Sequence, residues 1–235
     1  MADTITYDQN LSNPSSSSNP GFYNGSGNPD GGWTTVTDSS GDIDFSARVK
    51  YRQDPNVIHT STNIYQVDPG FQDATHAKWN LEFSFNGGIG GVPAVHIADV
   101  LPFSTVTISD LTAGTSTTKY LDQIWGDDST WGSTGEGVLS PTTLLSDWGF
   151  QNSENPKFGD FPNGGASFDP NAQHFYKVAF NINNALGNLL TDTIYIKVGD
   201  AVNPAPEASS ISMLAGGLSL FGLGFLRRKQ RKLAA

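Results

Sequence analysis

Apolar and polar side chains alternate with a period of two along several segments, and this pattern limits the available folds more than any other feature. In residues 43–52 every second side chain is apolar and the intervening ones are polar or charged. Residues 78–85 alternate in the same way. Because successive side chains of a strand point to opposite faces, each segment predicts a half-buried antiparallel strand. No comparable helical periodicity occurs before residue 201.

Further strands are predicted towards the middle and the end of the body. Short candidates lie at 95–100 and 106–108, whereas 120–170 is less regular, with a strand or helical turn at 121–125 and at 142–148. The turn residues of 183–188 lie between two alternating segments and predict a closing β-hairpin. Several strands joined by turns favour an all-β fold, an antiparallel β-sandwich of Ig-like or jelly-roll-like type, with a barrel as the alternative.

Composition excludes several classes of function. The chain has 235 residues, which suits one main domain, and it contains no Cys, which excludes disulfides, thiolate metal sites and cysteine nucleophiles. Five of the 13 Lys and Arg lie in the last nine residues, so residues 1–226 combine 8 basic with 23 acidic residues and carry a formal charge of −15. Such a body repels phosphate backbones, and we expect no nucleic-acid partner.

The C-terminal segment has three parts. A small, Pro-containing linker, 201–210, precedes 16 uncharged residues, 211–226. From Ala208 the uncharged stretch reaches 19 residues, enough for a helix to span a hydrocarbon core of about 30 Å. The positive-inside rule places the basic cluster after it in the cytoplasm and the body outside, whereas the alternative is a buried helix of a soluble fold. The basic cluster consists of Arg227, Arg228, Lys229, Arg231 and Lys232.

This layout resembles the PEP-CTERM sorting signal of exported bacterial proteins. In that signal a Pro-Glu-Pro motif precedes a transmembrane helix and an Arg-rich end; here the motif reads Pro206, Glu207, Ala208. The resemblance implies an exosortase-type sorting enzyme as partner and a location at the cell envelope, cell surface or extracellular matrix, anchored in the membrane at least transiently. Such tails also carry the name ice-binding protein C-terminal domain. Ice binding itself would need a flat, regular array of threonines.

The body resembles a group of PEP-CTERM secreted proteins, which implies a fold and a location but no biochemical activity. The resembling pieces include 151–155, expected to be a loop, and the closing hairpin; the others are 25–33, 46–52, 79–84 and 168–170. Met1–Tyr7 has neither the basic nor the apolar region of a signal peptide, and Ala2 resembles a mature start. We therefore expect an upstream signal peptide to have been removed.

The predicted organisation follows from these features. It comprises a turn-rich segment 1–32, a sandwich domain 33–200, the linker 201–210, a transmembrane or sorting helix 211–226 and a basic cytoplasmic tail 227–235.

No catalytic motif is present. The histidines His59, His76, His96 and His174 lack zinc-site spacing, and no nucleophile elbow or phosphate-binding loop occurs. A glycosidase needs two carboxylates a few ångströms apart, whereas Glu82 is expected to be solvated or paired with Arg48 or Lys50. The chain is thus predicted to be non-catalytic, a surface or matrix protein associated with exopolysaccharide or biofilm. The alternative is a secreted hydrolase or lyase acting on polysaccharide.

Two kinds of binding site are candidates, each with a structural alternative. Asp122, Asp127 and Asp128 offer oxygen ligands for calcium, as do Asp38, Asp42 and Asp44, although Asp is also a common turn residue. No other cofactor is expected. The rings of three tryptophans could stack on sugars or instead close the ends of the core; they are Trp125, Trp131 and Trp148. Arg48, Lys50 and Arg52 form a basic stripe, read as the guard of an edge strand or as a site for acidic polysaccharide.

Overall fold

A computed structural model describes residues 2–11, 15–16, 19–20, 31–52, 58, 62–88, 95–123, 130–132 and 147–201. Strands dominate these ranges, and they belong to one compact unit, Met1–Val202. In chain order the strands are β1 Thr4–Gln9, β2 Ser15–Ser16, β3 Asn19–Pro20, β4 Trp33–Thr37, β5 Asp44–Tyr51, β6 Ile64–Val67, β7 Phe71–Asp73, β8 His76–Ala77, β9 Trp79–Asn86, β10 Thr105–Asp110, β11 Thr115–Tyr120, β12 Thr130–Gly132, β13 Asp147–Glu154, β14 Phe175–Asn184 and β15 Gly187–Val198.

Two large sheets pack face to face. One has the order β1-β4-β5-β9-β13-β12 and the other β11-β10-β14-β15-β6, with β2–β3 and β7–β8 as separate pairs. All pairings are antiparallel except β15 with β6, which is parallel. Phe45 of the first sheet lies 4.7 Å, centroid to centroid, from Phe180 of the second. The predicted all-β, sandwich-like fold is confirmed, and so is the closing hairpin, β14–β15.

The core lies between the sheets and is rich in aromatic rings. The inward side chains of β5 and β9 meet those of β14 and β15, and Phe83, Phe180 and Trp79 are fully buried. Trp79 packs edge-on against Phe161 at 5.4 Å. Burial of each such side chain contributes roughly 1.5–3 kcal/mol to folding stability, so this layer stabilises the packing of the two sheets against each other.

Helical structure is confined to short turns between strands. An α-helical turn, α1, covers Ile97–Val100, where a strand was expected; that prediction was wrong. Ile97 and Val100 are three residues apart and both buried, which a helical turn achieves on one face. The 3₁₀ helices are Leu101–Phe103, Leu121–Gln123, Pro156–Phe158 and Gly165–Ser167.

Strand β13 also differs from expectation, because residues 151–154 were predicted to lie in a loop. They form the second half of an interior strand between β9 and β12. Its core-facing positions hold Asn152 and Glu154, opposite Phe83 and Leu81. The Asn152 Nδ2 donates to Glu154 Oε1 at 2.8 Å, which lowers the cost of burying both. Because polar residues occupy core-facing positions, this segment lacks the alternation of apolar and polar residues by which a strand is recognised.

A buried amide fastens β13 to its neighbours. The side chain of Asn155, fully buried, accepts from the backbone N–H of Ala77 at 3.0 Å and of Lys157 at 3.1 Å. Its Nδ2 also lies within donating distance of the carbonyls of Ala77 and Trp79 and of Asn80 Oδ1, at 3.1, 3.2 and 2.7 Å. These contacts join the start of β9 to the 3₁₀ helix Pro156–Phe158.

Replacing this amide should be costly. We expect Asn155→Ala to lower the free energy of unfolding by about 3 kcal/mol, since several buried backbone groups lose their partner. The matched control is Asn188→Ala on the exposed turn side of β15, with an expected change within about 0.5 kcal/mol. Urea titrations of both variants measure the difference, and equal losses would contradict the role assigned to Asn155.

Within the described ranges, no helix has the length and the hydrophobicity needed to cross a membrane. The predicted span, 211–226, and the basic cluster after it lie outside those ranges, as do Pro206, Glu207 and Ala208.

Candidate functional site

The outward side of the six-stranded sheet carries polar side chains in register, and we term it the polar face. One row across the sheet contains Thr35, Ser46, Ser84 and Gln151. We use the term for Trp33, Thr35, Asp44, Ser46, Arg48, Lys50, Asn80, Glu82, Ser84, Asn86, Gln151 and Ser153, and the more exposed Thr4, Thr6 and Thr37 border these residues on the β1 side.

The polar face is shielded from solvent, contrary to the half-buried strands predicted from the alternation. Apart from Ser153, none of its residues is more than 8% exposed. Several of the side chains pair with one another: Thr35 and Ser46 share a hydrogen bond of 2.8 Å, and Asn80 donates to Ser153 at 2.8 Å. Paired polar groups can be removed from water at small cost, so an alternating pattern does not by itself imply a solvated face.

An ion cluster lies at the centre of this face. Glu82 Oε2 accepts from Arg48 Nε at 2.7 Å and lies 2.7 Å from its Nη2. Lys50 Nζ is 3.4 Å from Glu82 Oε1. The predicted cross-strand pairing of Glu82 with Arg48 or Lys50 is therefore confirmed, with both partners engaged.

Residues 31–33 are held against the cluster by Arg48. Its guanidinium carbon stands 4.2 Å from the ring centroid of Trp33, and its Nη1 donates to the Gly31 carbonyl at 2.7 Å. Trp33 is fully buried. A cation over an aromatic ring adds about 2 kcal/mol or more when desolvated, so Arg48 joins the start of β4 to the centre of the sheet.

This placement corrects the interpretation of the basic stripe. Strand β5 lies between β4 and β9 and is not an edge strand, and Arg48 and Lys50 are buried. Cations that are buried and engaged with Glu82 can neither guard an edge nor receive a polysaccharide from solvent. The third residue of the stripe, Arg52, lies one residue beyond the end of β5, where its N–H donates to Lys78 O at 2.7 Å.

The carboxylates of the polar face do not have glycosidase spacing. Asp44 pairs across the sheet with Asn86, which lies four residues beyond Glu82 on β9. That offset corresponds to about 14 Å along a strand. Retaining enzymes need about 5 Å and inverting enzymes about 6.5–9.5 Å, so these two groups do not form a catalytic pair.

The calcium candidates are partly described. Asp38 Oδ1 accepts from the N–H groups of Asp42 and Ile43, both at 2.8 Å, which is turn chemistry. Burial alone would raise the pKa of Asp38, but hydrogen bonds from Ser40, Ile43 and Asp42 outweigh it and lower that pKa. Asp122 is exposed in a 3₁₀ helix, and Asp127 and Asp128 lie outside the described residues. Among the residues that are described, no group of three or more His, Asp or Glu could hold a metal.

Among the residues that the structure describes, no tryptophan candidate is shown to offer an exposed ring face on which a sugar could stack. Trp148 is 6% exposed, so its ring has no face in solvent. Trp131 lies in β12, where only the backbone is described, and Trp125 is outside the described residues.

Exposed rings occur elsewhere, at a cluster that we term the aromatic patch: Phe71, His76, Lys157 and Phe158. Phe71 is 44% exposed and Phe158 48%. The rings of His76 and Phe158 meet edge to face at 5.7 Å, and Lys157 Nζ lies 5.9 Å from the centroid of Phe71. Two large apolar rings thus stand in solvent beside groups that can donate hydrogen bonds.

Rigid elements support the aromatic patch. Phe71 and His76 belong to the β7–β8 pair, whereas Phe158 ends the 3₁₀ helix whose N-cap is the buried Asn155. Gly159 follows with φ of 112°, a left-handed conformation that glycine adopts without strain and that ends the helix. Lys157 Nζ donates to the Phe168 carbonyl at 3.1 Å. The rings are therefore positioned before any ligand arrives.

A carboxylate borders the aromatic patch. The backbone N–H of Thr75 and the ring of His76, 2.7 Å away, lower the pKa of Asp73 to about 2. Asp73 is therefore an anionic acceptor at neutral pH. This site was not predicted from the sequence. The one signal that could have indicated it is that Phe71 and Phe158 each stand next to a glycine outside the alternating segments.

The outer side of the five-stranded sheet carries threonines, as an ice-binding surface would require, but not in a continuous array. Thr105 and Thr107 on β10 and Thr191 and Thr193 on β15 face outwards. Between these strands runs β14, whose outward residues at the same level are Asn181 and Ala179.

Comparison with known proteins adds no family to these observations. No protein-family model matches the sequence, and no curated protein matches it significantly.

Proposed function

We propose that this chain is an exported, non-catalytic protein of the bacterial cell surface or extracellular matrix. The support is the order of its C-terminal features: Pro206, Glu207 and Ala208, then the uncharged stretch 211–226, then five cations. In this proposal the stretch is a transmembrane helix, an exosortase-type enzyme is the sorting partner, and the body is an Ig-like or jelly-roll-like sandwich outside the membrane.

The work of the displayed domain is to contact extracellular polysaccharide, and the exposure of Phe71 and Phe158 on rigid supports is the observation that carries this assignment. The face of an aromatic ring stacks on the apolar C–H face of a sugar. Lys157, His76 and Asp73 stand beside the rings and can bond to sugar hydroxyls. Preorganised rings lose little entropy when they bind, which favours affinity.

Calorimetric titration with the exopolysaccharide of the producing strain tests this assignment. We expect measurable binding by the full chain, and Phe71→Ala with Phe158→Ala to weaken it at least about tenfold, because aromatic anchors dominate such contacts. The matched control is Phe103→Ala, a phenylalanine 44% exposed outside the aromatic patch, which should bind as the parent does.

Two results would contradict the assignment. One is the absence of heat with any glycan, and the other is equal weakening by the double variant and by the Phe103 control. Release of new reducing ends during the titration would instead support the alternative, a polysaccharide hydrolase or lyase.

A further inference from the structure

The outer side of the five-stranded sheet carries no acidic side chain within its strands. The acidic residues of these strands, Asp110 and Asp192, are 1% and 2% exposed and lie on the core side. Asp68 and Asp200 come only after the ends of β6 and β15. This side therefore differs in charge from a body that carries −15. One row across all five strands consists of Ser116, Ser109, Lys177, Tyr195 and Ile64.

Two lysines lie next to each other on this side of the sheet. Lys177 of β14 pairs directly with Tyr195 of β15, and Lys197 lies two residues further along β15, on the same side. Such diagonal neighbours are about 7–8 Å apart. Both lysines are partly exposed. In the part of the chain that the structure describes, neither ammonium has an acidic partner, whereas Lys119 on β11 pairs with Asp160.

A supported aromatic ring lies beside the two lysines. The ring of Tyr195 stacks on that of Phe175, with centroids 5.8 Å apart and planes inclined by 26°. Phe175 is 3% exposed, so the support is buried, and both strands lie inside the sheet. Ile64 follows Tyr195 in the row and is 44% exposed. Apolar surface, hydroxyl groups and two cations thus occupy fixed positions on one side of the sheet.

We propose that Lys177, Tyr195 and Lys197 form a binding site for acidic polysaccharide. The two ammonium groups bond to anionic groups of the polymer, and the tyrosine contacts a sugar ring. A carboxylate or a sulfate gains charge-assisted hydrogen bonds from an ammonium group. No acidic side chain of these strands lies on the outer side to repel such a ligand or to occupy the lysines. This site shares no residue with the aromatic patch, so the inference adds a second contact surface and holds without the first.

Two polymers with the same backbone isolate the role of the anionic groups. Calorimetric titration of the full chain in detergent compares carboxymethyl dextran with dextran. We expect carboxymethyl dextran to bind at least about tenfold more tightly, and Lys177→Gln with Lys197→Gln to remove this preference. Lys177→Gln alone should reduce it about threefold. The matched control, Lys119→Gln, removes the same charge from a lysine of the same sheet that pairs with Asp160, and it should keep the preference.

The same titrations with Phe71→Ala and Phe158→Ala separate this site from the aromatic patch. A preference for carboxymethyl dextran that persists in this double variant supports the second site. Its loss there would place the recognition of anionic groups at the aromatic patch and would overturn the inference. If the double variant binds dextran as the parent does, the role of the aromatic patch is contradicted and the lysine site is not.

Tyr195→Leu distinguishes recognition of a sugar from attraction of any polyanion. It should weaken the binding of carboxymethyl dextran at least about threefold and leave the binding of inorganic polyphosphate unchanged, because only the sugar contacts the ring. Equal affinity of the parent for the two dextrans would overturn the proposal. So would equal effects of Lys177→Gln and Lys119→Gln, or a Tyr195→Leu variant that binds carboxymethyl dextran as the parent does or loses both ligands alike.

Discussion

Glu82→Ala should lower the free energy of unfolding by about 3–5 kcal/mol, one of the largest effects expected from a single substitution in this chain. Glu82 is 1% exposed and lies between the guanidinium of Arg48 and the ammonium of Lys50, both of which are also buried. Removal of the carboxylate leaves two cations in a region shielded from water. The cation over Trp33 then loses the anion that compensates its desolvation.

Urea titration with a partly exposed ion pair as control isolates this effect. Lys119→Ala removes a partner of Asp160 from a pair whose side chains are 36% and 21% exposed, and it should cost less than about 1 kcal/mol. Replacement of Arg48, Lys50 and Glu82 together by Met should recover part of the loss, because the three buried charges are removed together. A loss with Glu82→Ala no greater than with Lys119→Ala would contradict the buried ion cluster.

Folding stability should fall as the pH rises from about 4 to about 7, because of a carboxyl group inside the sandwich. Asp192 lies on β15 between the core residues Leu190 and Ile194, and it is 2% exposed. Burial raises the pKa of Asp192 from 3.8 to about 7, although a hydrogen bond from the Thr193 backbone opposes the shift. The nearby Tyr65 hydroxyl also has a raised pKa, through its burial and through Asp192.

The sign of this pH dependence follows from the number of protons bound in the folded and in the unfolded state. Between the unfolded and the folded pKa values the native protein keeps a proton that the unfolded chain has released, so stability decreases with pH. The slope approaches about 1.4 kcal/mol per pH unit, and the total loss is about 4 kcal/mol, with no further change from Asp192 above pH 7. Asp38 and Asp73, whose pKa values are lowered, act in the opposite sense and only at lower pH.

Denaturant titrations from pH 4 to pH 8 measure this dependence. We expect Asp192→Asn to remove most of the slope and to be more stable than the parent at pH 8, since an amide has no charge to bury. The exposed Asp122→Asn is the control and should keep the parental slope. A parental slope in Asp192→Asn would show that another group carries the pH dependence.

Part of the fold could be predicted from local pattern. Strands β5, β9, β14 and β15 alternate because one side of each faces the core, and the turn residues before β15 mark the hairpin. The coarse class follows from such strands, since few architectures bury many of them at once.

The rest of the fold and the candidate site depend on contacts between residues that are distant in sequence. Strand β13 escaped prediction because Asn152 satisfies Glu154 inside the core, and the pairing of Arg48 with Glu82 joins residues 34 positions apart. The burial of the polar face, and of Asp192 inside the sandwich, likewise follows from tertiary packing. Phe71 and Phe158 were missed because their exposure, not their identity, makes them a candidate site.

Surface labelling of living cells tests most directly whether the folded domain is displayed outside the cytoplasm. Leu186→Cys places a single thiol at a turn position that is 96% exposed, in a chain without other cysteines. Val49→Cys, at a fully buried position, is the control for unfolded protein and should stay unlabelled. We predict that a maleimide unable to cross the cytoplasmic membrane labels Leu186→Cys on intact producing cells, whereas labelling that appears only after lysis would contradict export.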